Sequence, residues 1–329
     1  MPSELELSVA PLDAEWDEFV QQSPHGTPYA SRAFLQALND EPIAWYCRRP
    51  DGAIVAALLL TRGEALDIAR RSDQLIYHGI LGAPVTGEQR QARVVLKYFD
   101  AAELMVAEMA RQFAFVEVHL SPLYVDIRPF LWHNHGTTGA RFSVDVRYTT
   151  HLDISELAQD EARVLERARR DRRREIRNAR DTGIVVRETF DAALCVDLHE
   201  RTMARQDIRL SESTRREMLA IMTSLHRAGE GRMFVCSDSY GEPLSVLFMG
   251  VDRKRAHAMF GGSAPRARTG PGGTAVYWEA FRALAATGVT EVNIEGINSP
   301  RRGWFKLSFG GSILPYYALT LDQRGAVHG

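Results

Sequence analysis

Residues 233–251 read Met-Phe-Val-Cys-Ser-Asp-Ser-Tyr-Gly-Glu-Pro-Leu-Ser-Val-Leu-Phe-Met-Gly-Val. Two apolar runs, Met233–Ser237 and Pro243–Val251, flank a turn at Ser239-Tyr240-Gly241, the pattern of a β-hairpin. Residues 43–60 carry the same pattern: Ile43–Arg48, a turn at Pro50-Asp51-Gly52, then Ala53–Leu60. The segments downstream of the two hairpins also match. After the first come a strand at Gln74–Leu81 ending in Gly82-Ala83-Pro84, a helix at Arg93–Gln112 and a strand at Phe115–Leu120. After the second come a strand at His257–Phe260 running into Gly261-Gly262-Ser263-Ala264-Pro265, a helix at Thr274–Ala286 and a strand at Glu291–Glu295. The landmarks keep a nearly constant offset, 189 residues from Gly52 to Gly241 and 181 from Pro84 to Pro265. This order predicts a tandem duplication of one mixed α/β unit, with Ile43–Leu120 and Met233–Glu295 as superposable copies. The expected fold class is therefore α/β: two twisted mixed sheets, each flanked by helices, with domains at residues 1–150 and 151–329.

Outward from the repeat, residues 11–22 read as an amphipathic helix with Trp16 and Phe19 inward. Ser31 is suited to cap a helix through Leu38. A strand pair is expected around Arg141–Leu152, followed by one long helix, Leu157–Asp181, with Gly183 at its C-cap. That helix holds nine arginines between Arg163 and Arg180, against Glu166, Asp171 and Glu175. Its apolar stripe is thin: Leu165, Ala168, Ile176 and Ala179. Pairing within the helix explains part of the charge. The excess suits a face that meets phosphates of a nucleotide, a lipid pyrophosphate or an RNA backbone, with Arg172, Arg173 and Arg177 as the anion-binding candidates.

The 329 residues are 45% hydrophobic and 25% charged, with a formal net charge of −2. That balance is ordinary for a globular chain long enough for two domains. The longest apolar run, Ala53–Leu60, falls well short of the ~18–20 residues that span a bilayer. The N-terminus lacks the basic-then-apolar order of a signal peptide. Cys47, Cys195 and Cys236 lie far apart and match no zinc or redox spacing. A reducing cytoplasm is the expected home. His133-Asn-His135 sits in a glycine-bearing loop without further ligands nearby, so no metal site is expected.

Two segments offer chemistry. The first, Asn298 to Gly310, reads Asn-Ser-Pro-Arg-Arg-Gly-Trp-Phe-Lys-Leu-Ser-Phe-Gly. It opens with turn residues and then sets Lys306 among Trp304, Phe305 and Phe309. The chain has only three lysines, Lys97, Lys254 and Lys306, against 37 arginines. A lysine is a compact donor whose pKa moves on burial, whereas arginine is a fixed planar fork. Placed among aromatics, it can meet an oxygen that gains negative charge during a reaction. It can equally snorkel past a hydrophobic rim to water. The second, Arg266-Ala-Arg268-Thr-Gly270-Pro-Gly272-Gly273-Thr, runs from a strand into a helix. Its free N–H groups at a helix start suit the phosphates of a donor, with Arg266, Arg268, Gly270, Gly272 and Gly273 as the candidates. It also reads as a flexible loop leading into a helix.

Taken together, these features resemble the FemAB-like branch of the Gcn5-related acyltransferase superfamily. The resemblance runs over nearly the whole chain. Trp16-Asp-Glu-Phe, Ser23-Pro-His-Gly and Tyr29-Ala-Ser-Arg-Ala-Phe are similar to that family's opening. Arg172 to Glu188 resembles its basic helix followed by a strand. Phe305-Lys306…Phe309-Gly310 resembles its C-terminal signature and is the most specific of the three. The resemblance implies two Gcn5-like domains in tandem and amide formation. In characterised members an aminoacyl group passes from aminoacyl-tRNA to an amine of a peptidoglycan precursor. It also implies that Lys306 stabilises the transition state with Phe305 in support. The long coiled-coil arm of some members is absent. Gly270-Pro271-Gly272-Gly273 is richer in glycine than the tRNA-using members suggest, which leaves acyl-coenzyme A open as donor.

The expected reaction is direct transfer, without an acyl-enzyme or a tightly bound cofactor, from aminoacyl-tRNA or acyl-CoA. The acceptor is an amine of a cell-wall precursor, an amino sugar or a small metabolite. Glu295 or Asn298, at the end of the last repeat strand, is placed to orient it. A non-catalytic anion-binding module and a scaffold built on a degenerate acyltransferase fold are the rival readings.

Overall fold

A computed structural model describes residues 5–84, 91–265 and 270–324, without the side chains of residues 91–94 and 301. The chain divides into two compact units. One is Met1–Arg147 together with the residues from Pro315, and the other is Tyr148–Leu314.

The first unit begins with β1 (Glu6–Val9), α1 (Ala14–Gln22) and α2 (Arg32–Leu35). Asp13 caps α1, its carboxylate accepting from the N–H groups of Glu15 and Trp16, and Ser31 caps α2. Next come the hairpin β2 (Pro42–Arg48) and β3 (Ile54–Thr61), then β4 (Ile68–Ala69), β5 (Gly79–Gly82), α3 (Gln91–Gln112), β6 (Phe115–His119) and α4 (Arg128–Trp132). β1, β2, β3 and β5 form an antiparallel sheet in that order. The apolar positions of β2, β3 and β6 close on Met105, Val106 and Met109 of α3 to make one core. Residues 74–78, expected as strand, run as irregular chain into a shorter β5.

From β7 (Ser143–Asp153) the chain enters the second unit. There it forms α5 (Glu161–Glu166), α6 (Arg170–Asp181), β8 (Val185–Glu188), α7 (Ala192–Ala204) and α8 (Glu212–Arg227). It continues as β9 (Gly231–Ser237), β10 (Pro243–Val251), β11 (Arg255–Ser263), α9 (Gly272–Ala285), β12 (Glu291–Asn293), α10 (Pro300–Leu307) and β13 (Ser312–Asp322). β8, β9, β10 and β11 are antiparallel neighbours, and β12 runs parallel to β11. The core lies between this sheet and α9, with Trp278, Phe281 and Leu284 on Leu247, Met249 and Val292.

Each unit therefore repeats strand, two helices, hairpin, strand, helix, strand; the sequence predicts the hairpin, strand, helix and strand of this order, and the leading strand and helix pair come from the structure. The closing strand of each is exchanged. Residues 318–322 of β13 pair antiparallel with β6, and residues 151–153 of β7 pair with β12. For this reason the expected domain 151–329 ends early, and the residues from Pro315 belong with the first unit.

The expected helix Leu157–Asp181 is two helices. Arg169 has ψ 150° and its N–H donates to Ser308 O (2.9 Å), so the backbone leaves the helical path between Glu166 and Arg170. Gly310, left-handed at φ 90°, packs there so closely that a Cβ would lie 2.3 Å from Arg167 O. Only glycine fits. Among the described residues no helix is long and apolar enough to cross a membrane.

Candidate active site

β11 and β12 pair over three residues only, Arg255–His257 with Glu291–Asn293. β11 then continues to Ser263, while β12 stops and its chain turns away. Beyond His257 the β11 backbone is bonded instead by side chains of α7 and its C-cap: His199 Nδ1 lies 2.9 Å from Gly261 O, Thr202 Oγ1 accepts from the Ser263 N–H, and Arg205 donates to Ser263 O. The turn that ends β12 is built from Glu295 (φ 58°) and Gly296 (φ 54°), both left-handed.

Lys306 reaches this turn from α10. Pro300 at the start of α10 and Ser299 before it set the helix entry. The Lys306 Nζ sits where a side chain on Gly296 would go, 3.1 Å from an ideal Cβ position. Lys306 is partly buried as a residue, and its ammonium is desolvated. Burial pushes its pKa down to about 8, the Glu295 carboxylate pulls it up, and the Arg302 guanidinium pushes it down. Desolvation and nearby charges are the influences that move a lysine's pKa, and Lys306 has both. At pH 7 it is still mostly an ammonium.

Phe305 and Phe309 hold α10 in place. Phe309 is fully buried and stacks on Tyr277 of α9, with ring centroids 5.6 Å apart. Phe305 meets both Phe309 and Tyr277 edge to face at 5.5 Å. Trp304, by contrast, is 65% exposed. Burial also raises the Tyr277 phenol to about 12, so it stays neutral.

Arg172, expected to meet an anion, turns inward instead. Its guanidinium lies over the rings of Phe305 (4.4 Å) and Phe309 (5.0 Å). It donates to Ser308 Oγ at 2.8 Å and to Thr274 Oγ1, and it pairs with Glu175. Its Nε and Nη1 donors serve the fold, and its side chain is only 11% exposed. Arg172 thus ties α6 to α10 and to the first turn of α9. Arg173 is partly buried, and Arg177 is exposed. Arg170, Arg174 and Arg177 recur along one face of α6 without a carboxylate partner among the described residues.

Of the glycine segment, Gly270, Gly272 and Gly273 lie at the start of α9, beside Thr274 and hence beside Arg172. Arg266 and Arg268 lie outside the described residues. Asn298 is committed to the fold. Its amide accepts from Tyr148 N–H (2.8 Å) and donates to Tyr148 O (2.9 Å), fastening the loop to β7. Glu295 faces His257, at 3.1 Å from Nδ1, with both side chains buried. The sequence reading missed His257, Tyr277 and Thr274. Each looks like a routine strand or helix residue until strand register and helix packing bring His257 to Glu295, Tyr277 to Phe305 and Phe309, and Thr274 to Arg172. Among the described residues no group of three or more His, Cys, Asp or Glu could hold a metal ion.

Comparison with known proteins agrees with this fold. Residues 166–300 match the model of the acetyltransferase (GNAT) domain family. The structure of FemX superposes with a TM-score of 0.66, covering 95% of this chain and 96% of that one at 12% identity. The chain has a FemAB-like GNAT fold. A tandem GNAT protein from the clavulanic acid biosynthesis pathway, solved without AcCoA, aligns over 97% of this chain and 98% of its own (TM-score 0.52, 15% identity). L-PGS from Bacillus licheniformis aligns over 95% and 92% (TM-score 0.52, 13% identity). No curated protein sequence matches this chain. In this GNAT-fold chain the parting of β11 and β12, the glycine-led α9 and Lys306 all lie within the second unit.

Proposed function

We propose that the protein is an N-acyltransferase that forms an amide by direct transfer, with aminoacyl-tRNA as donor and an amine-bearing small molecule or cell-wall precursor as acceptor. The observation that carries the proposal is the desolvated Lys306 ammonium seated on the turn that ends β12, where β11 and β12 part. A neutral acceptor amine attacks the carbonyl of the donor ester. A C–N bond forms as the carbonyl electrons move onto oxygen. The ester C–O bond then breaks, and the proton lost by the amine passes to the leaving oxygen. A fixed ammonium offered to the oxyanion lowers the barrier without an acyl-enzyme, and the rest of the rate comes from holding two substrates together.

The exposed row Arg170, Arg174 and Arg177 favours a polyanionic donor. The glycines at the start of α9 favour the second reading, acyl-CoA, because free N–H groups at a helix start suit a pyrophosphate. Charged tRNA pools and acyl-CoA, each offered with a panel of amines, separate the two. With a tRNA donor, RNase abolishes transfer. With acyl-CoA, RNase has no effect and a thiol reporter shows turnover. In either case Lys306→Met lowers kcat by ~10²–10³ with little change in KM. Lys306→Arg recovers only part of the activity, because a planar fork does not fit a point donor's place. A folded Lys306→Met protein with normal transfer would end the assignment.

A further inference from the structure

The turn that receives Lys306 is held more tightly than a strand end needs. Glu295 is a buried carboxylate in left-handed backbone, a combination that persists only where its surroundings fix it. Asn293, itself fully buried, accepts from the Glu295 N–H at 2.9 Å and from Thr149 Oγ1 at 2.5 Å. From the neighbouring strand, in register with Asn293, His257 brings its Nδ1 to 3.1 Å from Glu295 Oε1. Both side chains are almost wholly out of solvent, 2% and 6% exposed. The next residue is Gly296, over which the Lys306 Nζ rests.

We propose that His257 and Glu295 are positioning residues for Lys306: His257 donates its Nδ1–H to Glu295, and the carboxylate so fixed, on the residue before Gly296, is the counter-charge that keeps the lysine ammonium over that glycine. The catalytic consequence rests on the reading of Lys306 as the oxyanion donor, but the charge coupling does not.

The electrostatics support the arrangement. Lys306 faces Glu295 from the β12 turn and Arg302 from its own helix, with opposite effects, and burial opposes its charge. Remove the carboxylate, and only the two unfavourable influences remain. His257 faces Asp252 and Arg255 at the β10–β11 turn, Glu291 on β12 and His151 on β7, besides Glu295. Burial holds its pKa near 3, so it is a neutral donor throughout the working range. The adjacent His151–Glu291 pair, 2.8 Å apart, occupies a separate place along the same strands. A neutral donor fixed on a carboxylate leaves its negative charge whole. Burial lowers the lysine's proton affinity and the carboxylate raises it.

Only three lysines in the chain make this directly measurable. In protein carrying ¹³C at lysine Cε, each Cε signal is followed against pH in the absence of any donor or acceptor. Lys306 is expected to titrate near 8, and Lys97 and Lys254 report that the rest of the molecule is unchanged. Glu295→Gln, nearly isosteric, is expected to lower the Lys306 midpoint by about one unit or more, a tenfold change in proton affinity. His257→Ala is expected to lower it in the same direction, and His257→Asn, whose amide N–H replaces Nδ1–H, to restore part of the loss. Should Glu295→Gln fail to fold, the two His257 variants carry the same test. A Lys306 midpoint unmoved in a folded Glu295→Gln or His257→Ala protein would overturn the proposal. Because no substrate is used, a shifted midpoint with no acyl transfer would uphold the charge coupling and count against the enzyme reading alone.

Discussion

Adding one methyl group at Gly296 separates the two things that this residue does. Its backbone is left-handed at φ 54°, where an alanine costs ~1–2 kcal/mol. In a unit of this size that lowers Tm by roughly 2–8 °C, at about 2–4 °C per kcal/mol. The new Cβ would also lie 3.1 Å from the Lys306 Nζ, closer than van der Waals contact allows, so the ammonium must give way by a few tenths of an ångström. A hydrogen-bond donor to an oxyanion works at about 2.7–3.1 Å, and misplacement by ~1 Å costs on the order of a hundredfold. A shift of a few tenths is therefore expected to lower kcat about tenfold with KM nearly unchanged. Gly241 provides the control in the same unit. It is also left-handed, at φ 84°, but nothing lies within 4 Å of its would-be Cβ. Gly241→Ala should lose similar stability and no activity per folded molecule. Thermal melts and single-turnover rates on both variants, with folded fraction measured at the assay temperature, give the comparison. If Gly296→Ala and Gly241→Ala turn over alike, the seat of Lys306 on Gly296 has no part in the reaction.

Arg172→Ala should destabilise the second unit by about 2–3 kcal/mol, through loss of its ring contacts and charge-assisted hydrogen bonds. Arg172→Lys should rescue little, because a point charge cannot both stack on Phe305 and bridge Ser308 to Thr274; chemical denaturation reads both. Replacing Arg170, Arg174 and Arg177 together with alanine should leave Tm within a degree or so while raising the KM for a tRNA donor. The log–log salt slope should fall by roughly 0.7–0.9 for each lost phosphate contact; an unchanged slope would remove this face from donor binding. Acid stability depends on the buried imidazoles. Burial holds His78 and His257 near 3, below the ordinary 6.5, so the unfolded chain binds protons that the native state refuses. Their contribution is fully present above pH 6.5 and is lost as pH falls from about 6.5 towards 3. Tm should fall steeply across that window, and replacing His257 with asparagine should flatten part of the fall.

Much of the fold is local and was legible in order along the chain. The alternation of Ile43–Leu60 and Met233–Val251 around Gly52 and Gly241 carries its own hairpin geometry, and the apolar spacing of α3 and α9 carries theirs. Repetition of those signals was enough to predict two copies of one unit. Lys306 stood out for a chemical reason, as one of three lysines in an arginine-rich chain. What local signals cannot encode is which distant residues share a place. The exchange of β7 and β13 between the units depends on pairings over long sequence separations. The break at Arg167–Arg169 exists because Gly310 presses on that backbone from more than 140 residues away. Arg172 reads as one more basic residue on a charged helix, and only the packing of α6 on Phe305 and Phe309 turns it inward. His257 and Glu295 are 38 residues apart in sequence and 3.1 Å apart in space. The sequence by itself determined the two hairpins, the helices α3 and α9, their repetition and the lysine's chemical distinction. The tertiary structure decided the lysine's surroundings, because burial and a counter-charge come from strand register and not from neighbours in the chain.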